Sequence, residues 1–178
     1  MFKLETDRLI LRDMSIEDEC AFVAISQDVK YQRFYDENDC EPNKYRELTQ
    51  LFVDQALEVP RQSFQLAVES KDSGKFIGTV CLRLEGNLQA SMGCVFSRET
   101  QGKGLSIEAA EALANFGFSE LGVQRIYAET ISKNLAAIKL CQSLGMKEEA
   151  RFENHRFFKG KWWDTVRLAV VRSDWKKA

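Results

Sequence analysis

The 178-residue sequence predicts one domain of the α/β (α+β) class, built on a mixed, mostly antiparallel seven-stranded sheet with helices on both faces. Three alternating apolar segments in the first half are joined by short polar turns, which favours antiparallel neighbours. A strand–helix–strand unit follows them, and such a crossover joins parallel strands. No repeat, low-complexity segment or linker interrupts the chain, so residues 1–178 are expected to form a single domain.

The first half of the chain is predicted to contain four strands and two helices. Ser15 and Asp18 have the spacing of a capping box at a helix start. Pro60 ends the second helix, whose apolar residues recur at helical spacing between Tyr45 and Ala56. In chain order the predicted elements are a strand at 8–12, a helix at 15–26, a helix ending at 59, and strands at 64–69, 76–84 and 89–96.

The second half is predicted to continue with the crossover and to end in a hairpin. Leu105, Ala109, Leu113 and Phe116 form one apolar stripe of a helix, and Gly122 terminates it. The predicted elements are a helix at 109–118, a strand at 124–131, a helix at 134–146, and hairpin strands at 147–158 and 162–171.

Composition and charge exclude several classes of protein. The 25 Lys and Arg residues and 27 Asp and Glu residues leave a net charge of −2, which does not indicate general nucleic-acid binding. No apolar run approaches the ~20 residues of a membrane helix, and the N-terminus has no apolar signal core, so we expect a cytoplasmic protein without membrane contact. One His, and five Cys in no zinc or disulfide pattern, predict no metal site.

The segment from Arg98 to Glu108 joins a buried strand to a helix through a glycine-containing turn. The first N–H groups of a helix have no internal partner, and the helix dipole adds partial positive charge, so such a turn can bind a phosphate. Gly102 and Gly104 lack Cβ atoms and allow close approach to the backbone, and Lys103 adds a positive charge. The glycine spacing is neither that of a P-loop nor that of a dinucleotide-binding fingerprint.

Five short motifs occur in order along the chain. They are Glu5-Thr-Asp-Arg-Leu-Ile-Leu-Arg12, Gln101-Gly-Lys-Gly104, Asn134-x-x-Ala137, Leu144-Gly-Met146 and Phe158-Lys-Gly-Lys-Trp-Trp-Asp164. Together they resemble the GNAT superfamily of acetyl-CoA-dependent N-acetyltransferases. The first and last look like the branch that contains the bacterial ribosomal-protein N-terminal acetyltransferases. The resemblance covers residues 4–175, and it implies a V-shaped splay between the two central parallel strands.

This resemblance implies where acetyl-CoA, the expected co-substrate, is held. Its pantetheine arm would lie between the splayed strands, and its pyrophosphate would sit on the amides of the glycine turn. Glu99 departs from the family pattern, which usually has Arg or Gln three residues before the first glycine. The residues expected at the coenzyme site are Cys94, Val95, Phe96, Gln101, Gly102, Lys103, Gly104, Leu105, Ser106, Asn134 and Ala137.

Acetyl transfer to an amine needs a group that takes the amine proton and a group that stabilises the leaving thiolate. Glu129 is the candidate base, because some ribosomal-protein acetyltransferases carry a glutamate at this spacing before Asn134; the alternative is a solvent-facing strand residue. Cys141 stands where many family members carry a tyrosine as general acid, and its thiol can protonate a thiolate. The alternatives for Cys141 are helix packing and a covalent acetyl-cysteine route, whereas the resemblance implies direct transfer in a ternary complex.

The acceptor amine is expected to approach the stretch between the first two helices, where aromatic and acidic residues alternate. The acids would attract a cationic amine, or they form a solvated charged loop. A histidine in the last hairpin could contact the acceptor or act as base, although its place in a long hairpin favours a structural role. The expected acceptor-site residues are Tyr31, Phe34, Asp36, Glu37, Asp39 and His155.

The sequence therefore predicts an N-acetyltransferase that moves an acetyl group from acetyl-CoA to a primary amine. The resemblance favours a protein N-terminal α-amine, of a ribosomal or another protein. A small-molecule amine, such as a polyamine, an amino acid or an antibiotic, is the alternative within this class. A non-catalytic coenzyme A-binding sensor or scaffold is the alternative of another class, which Glu99 and Cys141 leave open. No nucleic acid or membrane partner is expected, and the chain would act as a monomer or homodimer.

Overall fold

Eight β-strands form one continuous sheet in the computed structural model, which describes residues 1–175. The strands are β1 (Lys3–Glu5), β2 (Leu9–Asp13), β3 (Ser63–Ser70), β4 (Lys75–Glu85), β5 (Gln89–Phe96), β6 (Arg125–Ile131), β7 (Lys147–Phe158) and β8 (Lys161–Val171). Their order is β1-β2-β3-β4-β5-β6-β8-β7, and only β5 and β6 are parallel neighbours. The predicted class is confirmed. The predicted number of seven strands is wrong by one, because β1 has three residues and is too short for a pattern of alternation.

Five α-helices cover both faces of this sheet. They are α1 (Glu19–Ser26), α2 (Val29–Gln32), α3 (Pro42–Ala56), α4 (Leu105–Ser119) and α5 (Leu135–Ser143). Helices α1 and α3 bury Phe22 and Phe52 on one face, and α4 and α5 bury Leu113 and Cys141 on the other. No helix within residues 1–175 is both long and apolar enough to cross a membrane.

The ends of the predicted helices shift by a few residues. The capping box is present, but it opens a short 3₁₀ turn, Ile16–Asp18, that leads into α1. Helix α3 ends at Ala56 and not at residue 59, because Leu57 and Val59 are exposed and would gain no burial from a longer helix. The sequence does not predict α2, since four residues are too few to show a helical period.

The two parallel strands stay paired over only three residues. Residues 89–91 of β5 pair with residues 125–127 of β6, and the pairing ends there. Beyond these residues β5 continues to pair with β4 as far as Phe96, whereas β6 pairs with β8. The two strands therefore splay as the resemblance implies. Backbone groups of β5 that point into the gap have no strand partner, so a bound molecule can pair with them.

Helix α4 lies close against β4 near its C-terminal end. A Cβ atom on Gly117 would lie 2.8 Å from Cδ2 of Leu82, so a larger residue there would require the Leu82 side chain to shift. Ala109, Leu113 and Ala114 are buried in the main core. Burial of a side chain such as Leu113 stabilises the fold by about 1.5–3 kcal/mol.

Candidate active site

A cavity of about 500 Å³ lies where β5 and β6 separate. Its lining comes from both faces of the sheet: α4 and α5 contribute Ala110 and Cys141, whereas α2 and α3 contribute Tyr31 and Leu48. The cavity therefore passes through the gap between the two strands. Two molecules that enter from opposite faces can meet inside it, beside Cys94 of β5.

The turn before α4 leaves backbone N–H groups exposed at the start of the helix. Gly104 is the N-cap residue of α4 with a φ of 75°, and no side chain caps the helix. Gly102 has a φ of 76°, and a Cβ atom there would meet nothing within 4 Å. Both conformations favour glycine. Because residues 101–103 are exposed, an anion can reach the first N–H groups of α4 and supply the acceptor that they lack.

Arg8 holds this turn in place, a role that the sequence pattern did not predict. Its guanidinium donates to the carbonyl oxygen of Lys103 at 2.9 Å and to Oε2 of Glu108 at 2.6 Å. The hydroxyl of Thr6 donates to Oε1 of Glu108 at 2.5 Å. Burial would raise the pKa of Glu108, but the hydrogen bonds from Thr6 and Arg8 outweigh it and lower that pKa below its usual value. The signal was present, since Arg8 belongs to the first of the five motifs.

Glu99, the acid at the off-pattern position, lies outside the cavity. It belongs to a 3₁₀ turn, Arg98–Thr100, in which Thr100 is buried and donates to the carbonyl oxygen of Ser97 at 2.7 Å. The Glu99 side chain is exposed and forms no hydrogen bond or ion pair with residues 1–175. The departure from the family pattern therefore brings no negative charge into the cavity lining.

Helix α5 brings Asn134, Ala137 and Cys141 to the cavity. Oδ1 of Asn134 accepts from the backbone N–H of Ala137 at 3.3 Å, which is the predicted N-cap. Burial raises the pKa of Cys141 to about 11 and that of Cys94 to about 12. Both thiols are therefore protonated at neutral pH. Phe96, further along β5, packs against the core and does not line the cavity.

Glu129 lies on β6 beyond the last residue that pairs with β5, and it lines the cavity. Its Oε2 accepts from Nη2 of Arg167, the opposite residue on β8, at 3.1 Å. Its Oε1 has no hydrogen-bond partner in the described part of the chain. A second, smaller cavity of about 100 Å³ connects Glu129 with Phe34 and Tyr35. The carboxylate is thus on the face of the sheet that α1 and α3 cover.

Three tyrosines form a wall on this side of the cavity. The hydroxyls of Tyr31 and Tyr45 are 2.7 Å apart, and the rings of Tyr31 and Tyr35 stack at 4.6 Å between centroids. Burial raises the pKa of all three, that of Tyr45 to about 12, so their hydroxyls are neutral. Asp39 also lines the cavity, but its carboxylate lies 3.7 Å from the guanidinium of Arg156. Asp39, which belongs to the predicted acidic stretch, is therefore already paired with a cation.

Asp36, Glu37 and His155 line neither cavity. Asp36 accepts from the backbone of the 3₁₀ turn that follows it, and Glu37 accepts from the backbone N–H of Lys159 at 3.4 Å. Nδ1 of His155 is 2.8 Å from the hydroxyl of Thr165, and its side chain is exposed. The roles of these three residues in acceptor binding stay predictions.

The sequence matches a family model described as an acetyltransferase (GNAT) domain over residues 8–147, most of the chain. The chain belongs to the GNAT acetyltransferase family. A relative of this GNAT protein is the uncharacterized N-acetyltransferase p20 of Bacillus licheniformis, which is 28% identical over 98% of this chain and 99% of the relative. The predictions of an acyltransferase and of acetyl-CoA as its co-substrate are confirmed.

Solved structures share the GNAT fold of this chain. The ribosomal-protein-S5-alanine acetyltransferase of Vibrio fischeri has a TM-score of 0.82 at 20% identity, covering 99% of this chain and 100% of that one. The spermidine N-acetyltransferase of Vibrio cholerae, in complex with CoA and spermine, has a TM-score of 0.80 at 22% identity, covering 95% of this chain and 98% of that one. At these identities the similarity shows a shared fold and does not identify the acceptor of this chain.

Proposed function

We propose that this GNAT protein acetylates a protein N-terminal α-amine by direct attack of the amine on acetyl-CoA in a ternary complex. The observation that carries the proposal is the single cavity that runs through the β5–β6 gap and is lined from both faces of the sheet. Such a cavity can hold both substrates at once. Holding a thioester and an amine in one orientation removes most of the entropic cost of bringing them together.

The coenzyme side offers the groups that acetyl-CoA requires. The free N–H groups at the start of α4 suit a pyrophosphate, with Lys103 and Ser106 beside them. The unpaired backbone of β5 around Cys94 and Val95 suits the amide groups of a pantetheine arm, and Asn134 and its neighbours face it from α5. Bound acetyl-CoA supplies an activated acetyl group at its thioester.

Glu129 takes the proton from the acceptor amine, directly or through a water molecule. The support for this role is its place in the cavity and its unpartnered Oε1. The ion pair with Arg167 restrains the side chain and leaves that oxygen for the acceptor. Because an α-amine titrates near pH 8, a base is needed to supply enough of the neutral, attacking form at pH 7.

Cys141 donates a hydrogen bond from its thiol to the departing thiolate, which then takes up a proton from solvent. Its thiol lines the cavity, and the pKa of about 11 that burial produces keeps it protonated at neutral pH. A thiol is a weaker hydrogen-bond donor than a phenol, so this step is expected to be less strongly assisted than with a tyrosine. The same burial disfavours the covalent acetyl-cysteine route, since the thiolate is the nucleophilic form.

The charges of the cavity favour a peptide over a polyamine as acceptor. Its two acidic residues, Asp39 and Glu129, are each paired with an arginine. Its cationic residues Lys44 and Arg83 have no ion-pair partner within residues 1–175. A polyamine carries several positive charges and would be repelled, whereas an N-terminal segment brings a single amine. Of the two acceptors in the names of the structural relatives, a ribosomal protein and spermidine, the protein fits the charges of this cavity better.

Incubation of the purified protein with acetyl-CoA and a panel of amines tests this function. The panel contains peptides with a free N-terminus, the same peptides blocked at the N-terminus but with a lysine, spermidine, and free amino acids. Release of coenzyme A thiol gives the rate, and mass spectrometry gives the acetylated position. We expect acetylation of the free peptide N-terminus. Turnover of spermidine, with no turnover of any peptide, would refute the proposal.

A further inference from the structure

Beyond the reacting atoms, the cavity is lined by two neighbouring polar residues of β3 and β4, Gln65 and Arg83, here called the polar subsite. We infer that the polar subsite binds a side-chain carboxylate of the acceptor together with the peptide backbone next to it. The acceptor is then an N-terminal segment with an acidic residue close to its first residue. The inference rests on the proposed function, because it assigns a substrate class to the same cavity.

Gln65 is a buried amide without a partner. It lies on β3, is 4% exposed and lines the cavity, yet its side chain forms no hydrogen bond within residues 1–175. Most buried side-chain polar groups in folded proteins are paired with protein or with ordered water, and the Gln65 amide is open to the cavity. A polar atom of a ligand in the cavity would give this amide its missing partner.

Gln55 is a further polar residue that lines the cavity, from α3. Lys44, Leu48, Leu51 and Gln55 are spaced four, three and four residues apart, so they form one stripe of α3 along the cavity. Oε1 of Gln55 is enclosed by protein and accepts no hydrogen bond within residues 1–175, so this oxygen is not open to a ligand in the cavity. The Gln65 amide can both donate and accept, so it can pair with a peptide backbone.

Arg83 gives the polar subsite its charge. On β4, Arg83 pairs with Ser63 and Cys81 pairs with Gln65, so Arg83 and Gln65 are diagonal neighbours on one face of the sheet. No hydrogen bond or ion pair occupies the Arg83 guanidinium within residues 1–175. A guanidinium binds a carboxylate through two parallel N–H groups. A polyamine offers no carboxylate and would place a second cation at this point.

The distance from Glu129 to the polar subsite defines the position of the carboxylate in the acceptor. Arg83 is two strands away from β6, and its partner Ser91 pairs with Tyr127, two residues before Glu129. At ~4.8 Å between paired strands and ~3.3 Å per residue, the two positions are at least on the order of 10–12 Å apart, because β6 splays away from β5 beyond Tyr127. An extended peptide covers ~3.3 Å per residue. With its α-amine at Glu129, an acceptor therefore reaches Arg83 with the side chain of its second or third residue.

Peptide pairs that differ in a single charge test the inference. We compare pentapeptides with Asp or Asn at the second residue, and a second pair that differs at the third. A charge-assisted hydrogen bond contributes about 1.5–3 kcal/mol, less at a partly exposed arginine, so wild-type protein should prefer Asp over Asn by about tenfold in kcat/KM at one of these positions. Arg83→Gln should bring this ratio to about one. The control Arg172→Gln, an exposed arginine that lines neither cavity, should keep the wild-type ratio.

The outcomes separate the inference from the function on which it rests. Wild-type protein that acetylates the Asp and Asn peptides equally well overturns the inference and leaves the proposed function standing. An Arg83→Gln variant that keeps the Asp preference also overturns it, provided that coenzyme A raises its melting temperature as in wild type. Failure to acetylate any peptide, with turnover of spermidine, overturns the proposed function and the inference with it.

Discussion

The two sides of the cavity are built from different parts of the chain. The proposed coenzyme side uses backbone groups, namely the N–H groups that follow Gly104 and the unpaired edge of β5. The proposed acceptor side uses side chains such as Tyr31, Gln65, Arg83 and Glu129, which come from four separate elements. A backbone site is encoded by a few neighbouring residues, whereas a side-chain site depends on how distant elements pack. A mutation on one side should therefore impair the use of one substrate without impairing the binding of the other.

The largest expected effect lies on the acceptor side. Glu129→Gln keeps the size of the side chain and removes its capacity to accept a proton, so kcat should fall by roughly 10²–10⁴ at neutral pH. Raising the pH should restore part of the rate, because more of the α-amine is then neutral without help. Coenzyme A should still raise the melting temperature. Glu153→Gln, at an exposed glutamate of β7, is the control, and a near-wild-type kcat for Glu129→Gln would contradict the assignment.

A change on the coenzyme side should weaken the binding of coenzyme A, which the change at Glu129 leaves intact. Gly104→Val forces a branched residue into the left-handed conformation, which costs about 1–2 kcal/mol and displaces the turn. The affinity for coenzyme A should fall on the order of tenfold or more. Gly122→Val is the matched control, because Gly122 has a φ of 70° and lies beyond the opposite end of α4. Both variants should lose stability, but the thermal shift with coenzyme A should weaken only in Gly104→Val. An equal thermal shift in both variants would show that the turn does not contribute to coenzyme A binding.

Cys141 lies between the two sides, and its substitution should have an intermediate effect. Cys141→Ala removes the hydrogen-bond donor to the leaving thiolate, and kcat should fall by about tenfold, less than the roughly 10²–10⁴ of full proton transfer, because a thiol is a weak donor. Cys141→Ser should retain more activity because a hydroxyl can donate. Wild-type activity in Cys141→Ala would leave this residue with a packing role only.

The pH dependence of stability offers a second test of the buried thiol. Burial raises the pKa of Cys141 to about 11, above the value near 8.5 of an unfolded cysteine. The folded state therefore binds the proton more tightly, and the resulting stability is complete below pH 8.5 and is lost as the pH rises towards 11. Urea unfolding across this range should show a decline of the free energy of unfolding that is less steep in Cys141→Ala. An identical slope in both proteins would argue against a buried, protonated thiol.

The smallest expected effect concerns the acidic stretch before α3. Asp39→Asn should raise the KM for the acceptor by only about two- to threefold, since exposed ion pairs such as Asp39–Arg156 contribute ~0.2–1 kcal/mol. The effect should shrink at high salt, where such charges are screened. Asp36→Asn and Glu37→Gln should change the KM for the acceptor less, because neither residue lines either cavity. Equal changes in the KM values of both substrates would indicate damage to the fold.

The coenzyme half of this site was predictable because its determinants are local. Gly102 and Gly104, the helix after them and the cap by Asn134 each depend on a few adjacent residues, and the structure has the turn, the helix and the cap. The alternation of apolar residues likewise predicted the strands that form most of the sheet. The sequence did not predict the role of Arg8, because its partners Lys103 and Glu108 are about a hundred positions away in the chain.

The acceptor half was less predictable for the same reason. Gln65 and Arg83 carry no motif, and only the register of β3 and β4 brings them together. Composition suggested an acidic entrance near Asp36 and Glu37. In the structure Lys44 lines the cavity without an ion-pair partner among residues 1–175, and Asp39 is paired with Arg156, which no local pattern reveals. A sequence can show that a charged residue is present, but whether it has a partner is a property of the fold.

Initial rates measured while both substrates are varied test the central claim most directly, namely that one cavity through the β5–β6 gap holds acetyl-CoA and the amine together. If both are bound when the acetyl group moves, double-reciprocal plots at several fixed amine concentrations should give intersecting lines. Parallel lines would mean that acetyl-CoA reacts and coenzyme A leaves before the amine binds, as in transfer through an acetylated cysteine. That result would contradict the account.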